Sequence, residues 1–368
     1  MRQVQFLNPD LKPRDIYRCV QSIRSGWLVP GDNALKFEKM FASYMSAEKA
    51  YLTSSATASI EMALLLAGVS SGDEVICPSI TWVSVATSIM WLGATPVFCD
   101  VNRETYLIDS MSIESVVTSR TKAVVVTHLY GQMVDMEDVI RTAEKYGIKV
   151  IEDAAHAIES ERNGVRPGSL SFAACFSFHA AKNITSGQGG ALIIKAPDED
   201  VRLARRCGVL NDENDERVMK SFGGKFDLTD FQAALLIGQL ERIEKNHLKR
   251  QSIFEFYEKL CDSLGLKYPS RRKQDKHGFH QFTLEVNPKH RREIRQQLKS
   301  LGVSTSIHFR PIHNEPYFLN STSPVLPNAE NIGKCTLSLP TFHKLSHKDL
   351  RYVAKKLKFV LNAIEKSK

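Results

Sequence analysis

One lysine, Lys182, stands between the apolar run AACFSF (173–178) and the glycine-rich stretch SGQGG (186–190), where the chain must enter or leave a core. Burial disfavours an ammonium, and a neutral amine is a nucleophile toward carbonyls. Asp153 follows the run KVIE, 29 positions earlier (182 − 153). A carboxylate held there would keep an aromatic ring nitrogen protonated. The stretch SSATAS (54–59) opens a helix with Ser55 and Thr57, where free N–H groups and the helix dipole favour a phosphate. Ser177 offers another hydroxyl, and Trp82, in PSITWVS, offers a ring face. Taken singly these are ordinary features: a surface lysine, two helix caps and a core aromatic. Taken together they supply what pyridoxal phosphate (PLP) requires, namely an amine, an acid for the ring nitrogen, a phosphate cradle and a stacking partner.

The elements that must hold these residues follow from the hydrophobic pattern. Apolar runs at 49–53, 74–78, 95–100, 122–129, 149–154, 173–178 and 191–195 read as strands. Helical stretches are expected at 56–67, 82–92, 111–117 and 135–146. Continuous apolar strands alternating with helices predict an α/β fold, a mainly parallel sheet of seven strands covered on both faces. Ligands of such sheets bind beyond the carboxyl ends of the strands. The polar residues expected there are Ser55, Thr57, Trp82, Asp100, His128, Asp153, His156 and the segment Ser177 to Lys182. After Leu228 a long helical run begins, followed by a strand at 279–286, a helix at 291–302 and a C-terminal helix at 347–364. We expect a large domain at 1–240 and a small α+β domain at 241–368.

The 368 residues carry a net charge of +8, with pI near 9.0. The basic residues form no aromatic-laced block, and the densest run, SRRKQDK (270–276), reads as a solvated loop. The charge suits an anionic phosphate and an anionic nucleotide better than nucleic acid. The most apolar segment, 82–98, is interrupted by polar residues, glycine and proline, so no membrane span is expected. Seven cysteines without zinc spacing, three of them in apolar runs, favour a reduced state and the cytoplasm, and no metal.

Seven motifs in register resemble the fold-type-I PLP enzymes of the sugar aminotransferase group, the DegT/StrS type. They are GDEVICPSITWVSVATSIMWLGATPVFCDV (72–101), VTHLYGQMVDM (126–136), VIEDAAHAIES (150–160), SFHAAKNITSGQGG (177–190), FQAALLIGQLERI (231–243), IHFRPIH (307–313) and SLPTF (338–342). The resemblance implies a three-layer fold and a homodimer with shared active sites. It implies PLP held as an aldimine on Lys182, with pyridoxamine phosphate as an intermediate. Lys182 would be the catalytic base and Asp153 the ring-nitrogen partner. Ala56, Thr57 and Ser177 would hold the phosphate, and Trp82 would stack. His156 stands where the family usually has glutamine near the cofactor's phenolic oxygen. His308, Phe309, Arg310 and His313 are the candidates for sugar and diphosphate contacts.

The implied reaction moves an amino group from glutamate to a keto sugar on a nucleotide diphosphate. A UDP-linked 4-keto-6-deoxy sugar is favoured, for amino-sugar or surface-polysaccharide synthesis. Three departures stand out. Ala56 replaces a glycine, Gln188 replaces the glutamate of GEGG, and Lys225 and Asp227 stand where a neighbouring subunit usually has asparagine and arginine. Sugar dehydratases of the same family carry histidine at the lysine position. A binding protein without catalysis is the other competitor. A nicotinamide dehydrogenase is disfavoured because no GxGxxG follows the first strand.

Overall fold

The computed structural model describes residues 2–319 and 324–366. The seven apolar runs form one sheet: β1 (Tyr51–Thr53), β2 (Glu74–Pro78), β3 (Thr95–Cys99), β4 (Thr121–Thr127), β5 (Lys149–Asp153), β6 (Ala173–Ser177) and β7 (Gly190–Ile194). Their order is β1-β7-β6-β5-β4-β2-β3. The strands from β3 to β6 pair in parallel, while β7 runs antiparallel to both β6 and β1.

Alternate residues of a strand point to opposite faces. Cys175 and Leu192 therefore enter one buried cluster, with Ile60, Val85 and Val139. Their neighbours Ala174, Phe176, Ala191 and Ile193 enter another, with Phe37, Phe41 and Leu236. Helices Ala56–Leu66, Ser84–Trp91 and Met136–Tyr146 cover the first face, and Asp32–Met45 and Asp230–Glu241 the second. This is the expected three-layer α/β architecture.

A third buried cluster gathers helices Ile243–Leu264, Arg291–Ser300 and His347–Lys366 around an antiparallel pair, Phe282–Glu285 with Thr336–Leu339. Val4 belongs to this cluster and bridges in parallel to Val303. The long helical run divides at Arg242, whose non-helical backbone accompanies ion pairing of its guanidinium with Asp15. The strand expected over 279–286 begins only at Phe282. Phe279 has φ +46°, and the N–H groups of His280 and Gln281 are spent on the carbonyl of Tyr130. Among the described residues, no helix is long and apolar enough to cross a membrane.

Candidate active site

Strand β4 lies on one side of β2 and β3 on the other, so the sheet order reverses between β2 and β4. Crevices beyond the carboxyl ends of strands at such a reversal are where open α/β sheets bind ligands. Thr127, ending β4, donates across it to Thr81 at 3.0 Å. A cavity of about 400 Å³ opens there, a volume in the range of small-ligand sites. Its walls include Ala56, Thr57, Trp82, Asp153, His156, Ser177, Lys182, His308 and Phe309. The cavity thus brings together nine of the twelve residues for which the sequence suggested a catalytic, cofactor or substrate role.

The remaining three do not line this cavity. Lys225 is exposed and ion-paired with Asp227 at 2.6 Å. Arg310 turns outward and donates to the Asn314 carbonyl. His313 is buried behind the wall, with its Nδ1 2.5 Å from the Ser79 hydroxyl. Two of the strand-end residues also fall outside it. The Asp100 carboxylate accepts the N–H groups of Asn328 and Ala329, capping helix Pro327–Cys335. His128 is held by Glu152 at 2.5 Å, a carboxylate that also accepts from Ser171 and Gly168. At both strand ends, a structural partner takes the side chain.

One wall of the cavity is a helix start, a feature that suits a phosphate. Ser55 caps helix Ala56–Leu66 by accepting the Ala58 N–H at 3.0 Å, so the first N–H groups of the helix remain for a ligand. This turn can approach β7 only because position 190 is glycine. A Cβ there would lie 2.5 Å from the Ser55 carbonyl carbon and 2.7 Å from the Ala56 nitrogen.

The ring end is built from Asp153. Its carboxylate is buried and accepts the Ala155 N–H at 3.1 Å, and no cation lies within ion-pairing distance among the described residues. Burial therefore raises its pKa above the ordinary carboxylate value, against the hydrogen bond from Ala155 and the more distant Lys182 charge. A buried carboxylate lacking a counter-ion fits a protonated ring nitrogen. Lys182 is half-buried, and burial pushes its amine down to about 8, with the Asp153 charge acting in the opposite sense.

His156 is 8% exposed. Its Nδ1 accepts the Tyr130 N–H at 3.2 Å, and burial with the nearby Lys182 charge holds the ring well below the usual histidine range. The neutral ring must then carry its proton on Nε2 and is a donor. Trp82, by contrast, is 58% exposed and tilts toward Phe309, with ring centroids 6.0 Å apart. Gln188 lines the cavity beside Gly189, and its carbonyl accepts from Ser186 and Gln232.

His280 and Gln281 also line the cavity, and the sequence patterning gave them no role. The His280 ring lies 4.4 Å from that of His156, tilted by 33°. The signal was a second histidine, next to glutamine, just ahead of the strand-like FTLEV.

An orphan acid, a depressed lysine and a helix N-terminus around one cavity define a PLP-dependent aminotransferase site on a fold-type-I framework. The chain belongs to the DegT/DnrJ/EryC1/StrS aminotransferase family, whose model matches residues 9–358. It is similar to the spore coat polysaccharide biosynthesis protein SpsC of Bacillus subtilis, 34% identical over 365 residues, with 93% of each chain covered. It is also similar to Spr1654 from Streptococcus pneumoniae, solved in a PLP form. That likeness is 25% identical over 99% of this chain and 100% of the other, with a TM-score of 0.92. PseC of Helicobacter pylori, an aminotransferase of pseudoaminic acid biosynthesis, matches at 25% identity and a TM-score of 0.90, over 98% of this chain and 100% of its own.

Proposed function

We propose that the chain transfers an amino group from glutamate to a keto sugar on a nucleotide diphosphate, with a UDP-linked 4-keto-6-deoxy sugar favoured, as a homodimer supplying amino sugars for surface polysaccharide. The observation that carries this reading is the buried Asp153 carboxylate without a counter-ion, in one cavity with the depressed amine of Lys182. The share of SpsC and PseC in polysaccharide and amino-sugar synthesis supports the substrate class.

Bound PLP would supply an electron sink for the substrate carbon. Asp153 would keep the ring nitrogen protonated. Thr57, Ala56 and Ser177 would hold the phosphate, and Trp82 would lie against the ring. His156 would donate its Nε2–H to the phenolic oxygen. Lys182 would hold the cofactor and would be the base that takes a proton from the substrate carbon and returns it. A lysine near 8 holds an appreciable neutral fraction at working pH, as a general base requires. His308 and Phe309 would meet the sugar, and Arg310, exposed just beyond them, the diphosphate. His313 would brace that wall through Ser79. Lys225 would serve the phosphate of a second copy as a point charge.

The test is the visible spectrum of the purified protein. Added PLP should give a yellow protein, and Lys182→Ala should abolish the colour. Glutamate should bleach the colour, and one member of a panel of UDP-, GDP- and dTDP-linked 3- and 4-keto sugars should restore it. A protein that takes up no PLP would refute the proposal. Restoration by a 2-keto acid alone would refute the sugar.

A further inference from the structure

His280 is held by a chain of buried groups running away from the cavity. The Asn183 amide donates to Glu159 Oε2 at 2.8 Å and to the Gly278 carbonyl at 3.0 Å. Both partners are acceptors only, so the nitrogen of Asn183 must face them and its oxygen must face His280 Nδ1, 3.1 Å away. Glu159 is itself fixed by Arg250, and the two are 0% and 1% exposed. Both oxygens of Glu159 accept, one from Arg250 and one from Asn183.

These contacts leave one assignment for His280. An oxygen acceptor at Nδ1 requires a proton on Nδ1. Burial and the nearby charges of Lys182 and Arg250 hold the ring well below the usual histidine range, so it carries no second proton. Nε2 is then a lone pair. His156, whose ring lies 4.4 Å away, has the opposite arrangement, with Nδ1 accepting the Tyr130 N–H and the proton on Nε2. Tyr130 ties the two residues together, since its N–H reaches the His156 ring and its carbonyl accepts the backbone N–H of His280. The cavity therefore faces a donor imidazole and an acceptor imidazole side by side. On the Lys182 side, Nζ has no hydrogen-bond or ion-pair partner among the described residues.

We propose that Asn183 and Glu159 are positioning residues, which keep His280 as an Nδ1–H tautomer so that its Nε2 is offered to the cavity as an acceptor, to which the Lys182 amine, unpartnered among the described residues, turns when it carries a proton. This role rests on Lys182 being the base. The chain Arg250–Glu159–Asn183–His280 would orient the lysine between proton removal and proton return.

The first test needs neither PLP nor activity. In 15N-labelled, PLP-free protein at neutral pH, the His280 ring should show a protonated Nδ1 and an unprotonated Nε2, assigned by loss of the signals in His280→Gln. An Nε2–H tautomer or an imidazolium in the wild type would overturn the proposal. In Asn183→Asp, a carboxylate replaces the amide oxygen and should draw a second proton onto His280. The amino-donor half-reaction should then slow by about 10- to 100-fold, as misoriented catalytic groups do, with KM little changed. Imidazolium formation with an unchanged rate would overturn the functional part. His280→Phe keeps the stack on His156 but removes the acceptor, and His280→Gln restores one. Gln should be the faster of the two, and equal rates would count against the proposal. If Lys182→Ala kept full activity, the lysine's role as base would fail, while the tautomer assignment would stand on its own spectrum.

Discussion

At the scale of single residues, the site works by withholding water from charges. Lys182 is depressed by burial and only partly relieved by Asp153. Its amine is pushed to about 8 in the fold and returns to about 10.5 in the unfolded chain. The unfolded chain thus binds the extra proton between these values, and stability must rise with pH across that window. PLP-free protein should gain up to about 3 kcal/mol of unfolding free energy between pH 8 and 10.5 relative to Lys182→Met, measured by urea denaturation. Equal pH slopes in the two proteins would show that the amine is not depressed. Lys182 and Asp153 stood out in the sequence because each ends an apolar run with a charge. His280 did not, because the groups that orient it come from residues 130, 159, 183 and 250, and no spacing reveals that they meet.

At the scale of elements, the contact between β7 and helix Ala56–Leu66 sets the place of the helix start proposed to hold the phosphate. Gly190→Val would drive a side chain into the backbone of Ser55 and Ala56. The expected cost is about 1–3 kcal/mol of stability from overpacking. PLP affinity should fall more than stability does, because the helix N-terminus is displaced, and a fluorescence titration of PLP would register this. Unchanged affinity with lowered stability would separate the glycine from the phosphate site. The strands were legible because both faces of the sheet are covered, which makes each run continuously apolar. The strand expected at 279–286 was overextended by pattern alone. Phe279 to Gln281 continue the run toward FTLEV, yet the Phe279 N–H goes to the His277 ring and those of His280 and Gln281 to the Tyr130 carbonyl instead of a neighbouring strand.

At the scale of the whole molecule, the helix Pro13–Arg24 and the loop after it leave Ile16, Tyr17, Trp27, Leu28 and Val29 exposed. Phe222 and Met219, in and beside the hairpin Val209–Asn211 with Arg217–Met219, are exposed as well. These side chains are candidates for the surface that the proposed homodimer would cover. Light scattering should give about twice the 41.4 kDa chain mass. Lys225→Ala should weaken PLP binding without changing that mass. A monomer with full PLP affinity would contradict the shared site. Such a partnership cannot be read from the hydrophobic pattern of one chain, because periodicity reports which face is apolar and not what covers it.

The bridge between Val4 and Val303 also bears on how the enzyme comes into being. Phe6, two residues on, stacks on His308 at 5.6 Å, so the beginning of the chain braces a wall of the cavity that is encoded more than 300 positions later. During synthesis the sheet can close while the ribosome is still at work, but this wall waits for residues 303 to 309 to emerge. Lys182 is therefore made well before the residues that wall its cavity, and capture of the proposed cofactor would wait for that wall to form.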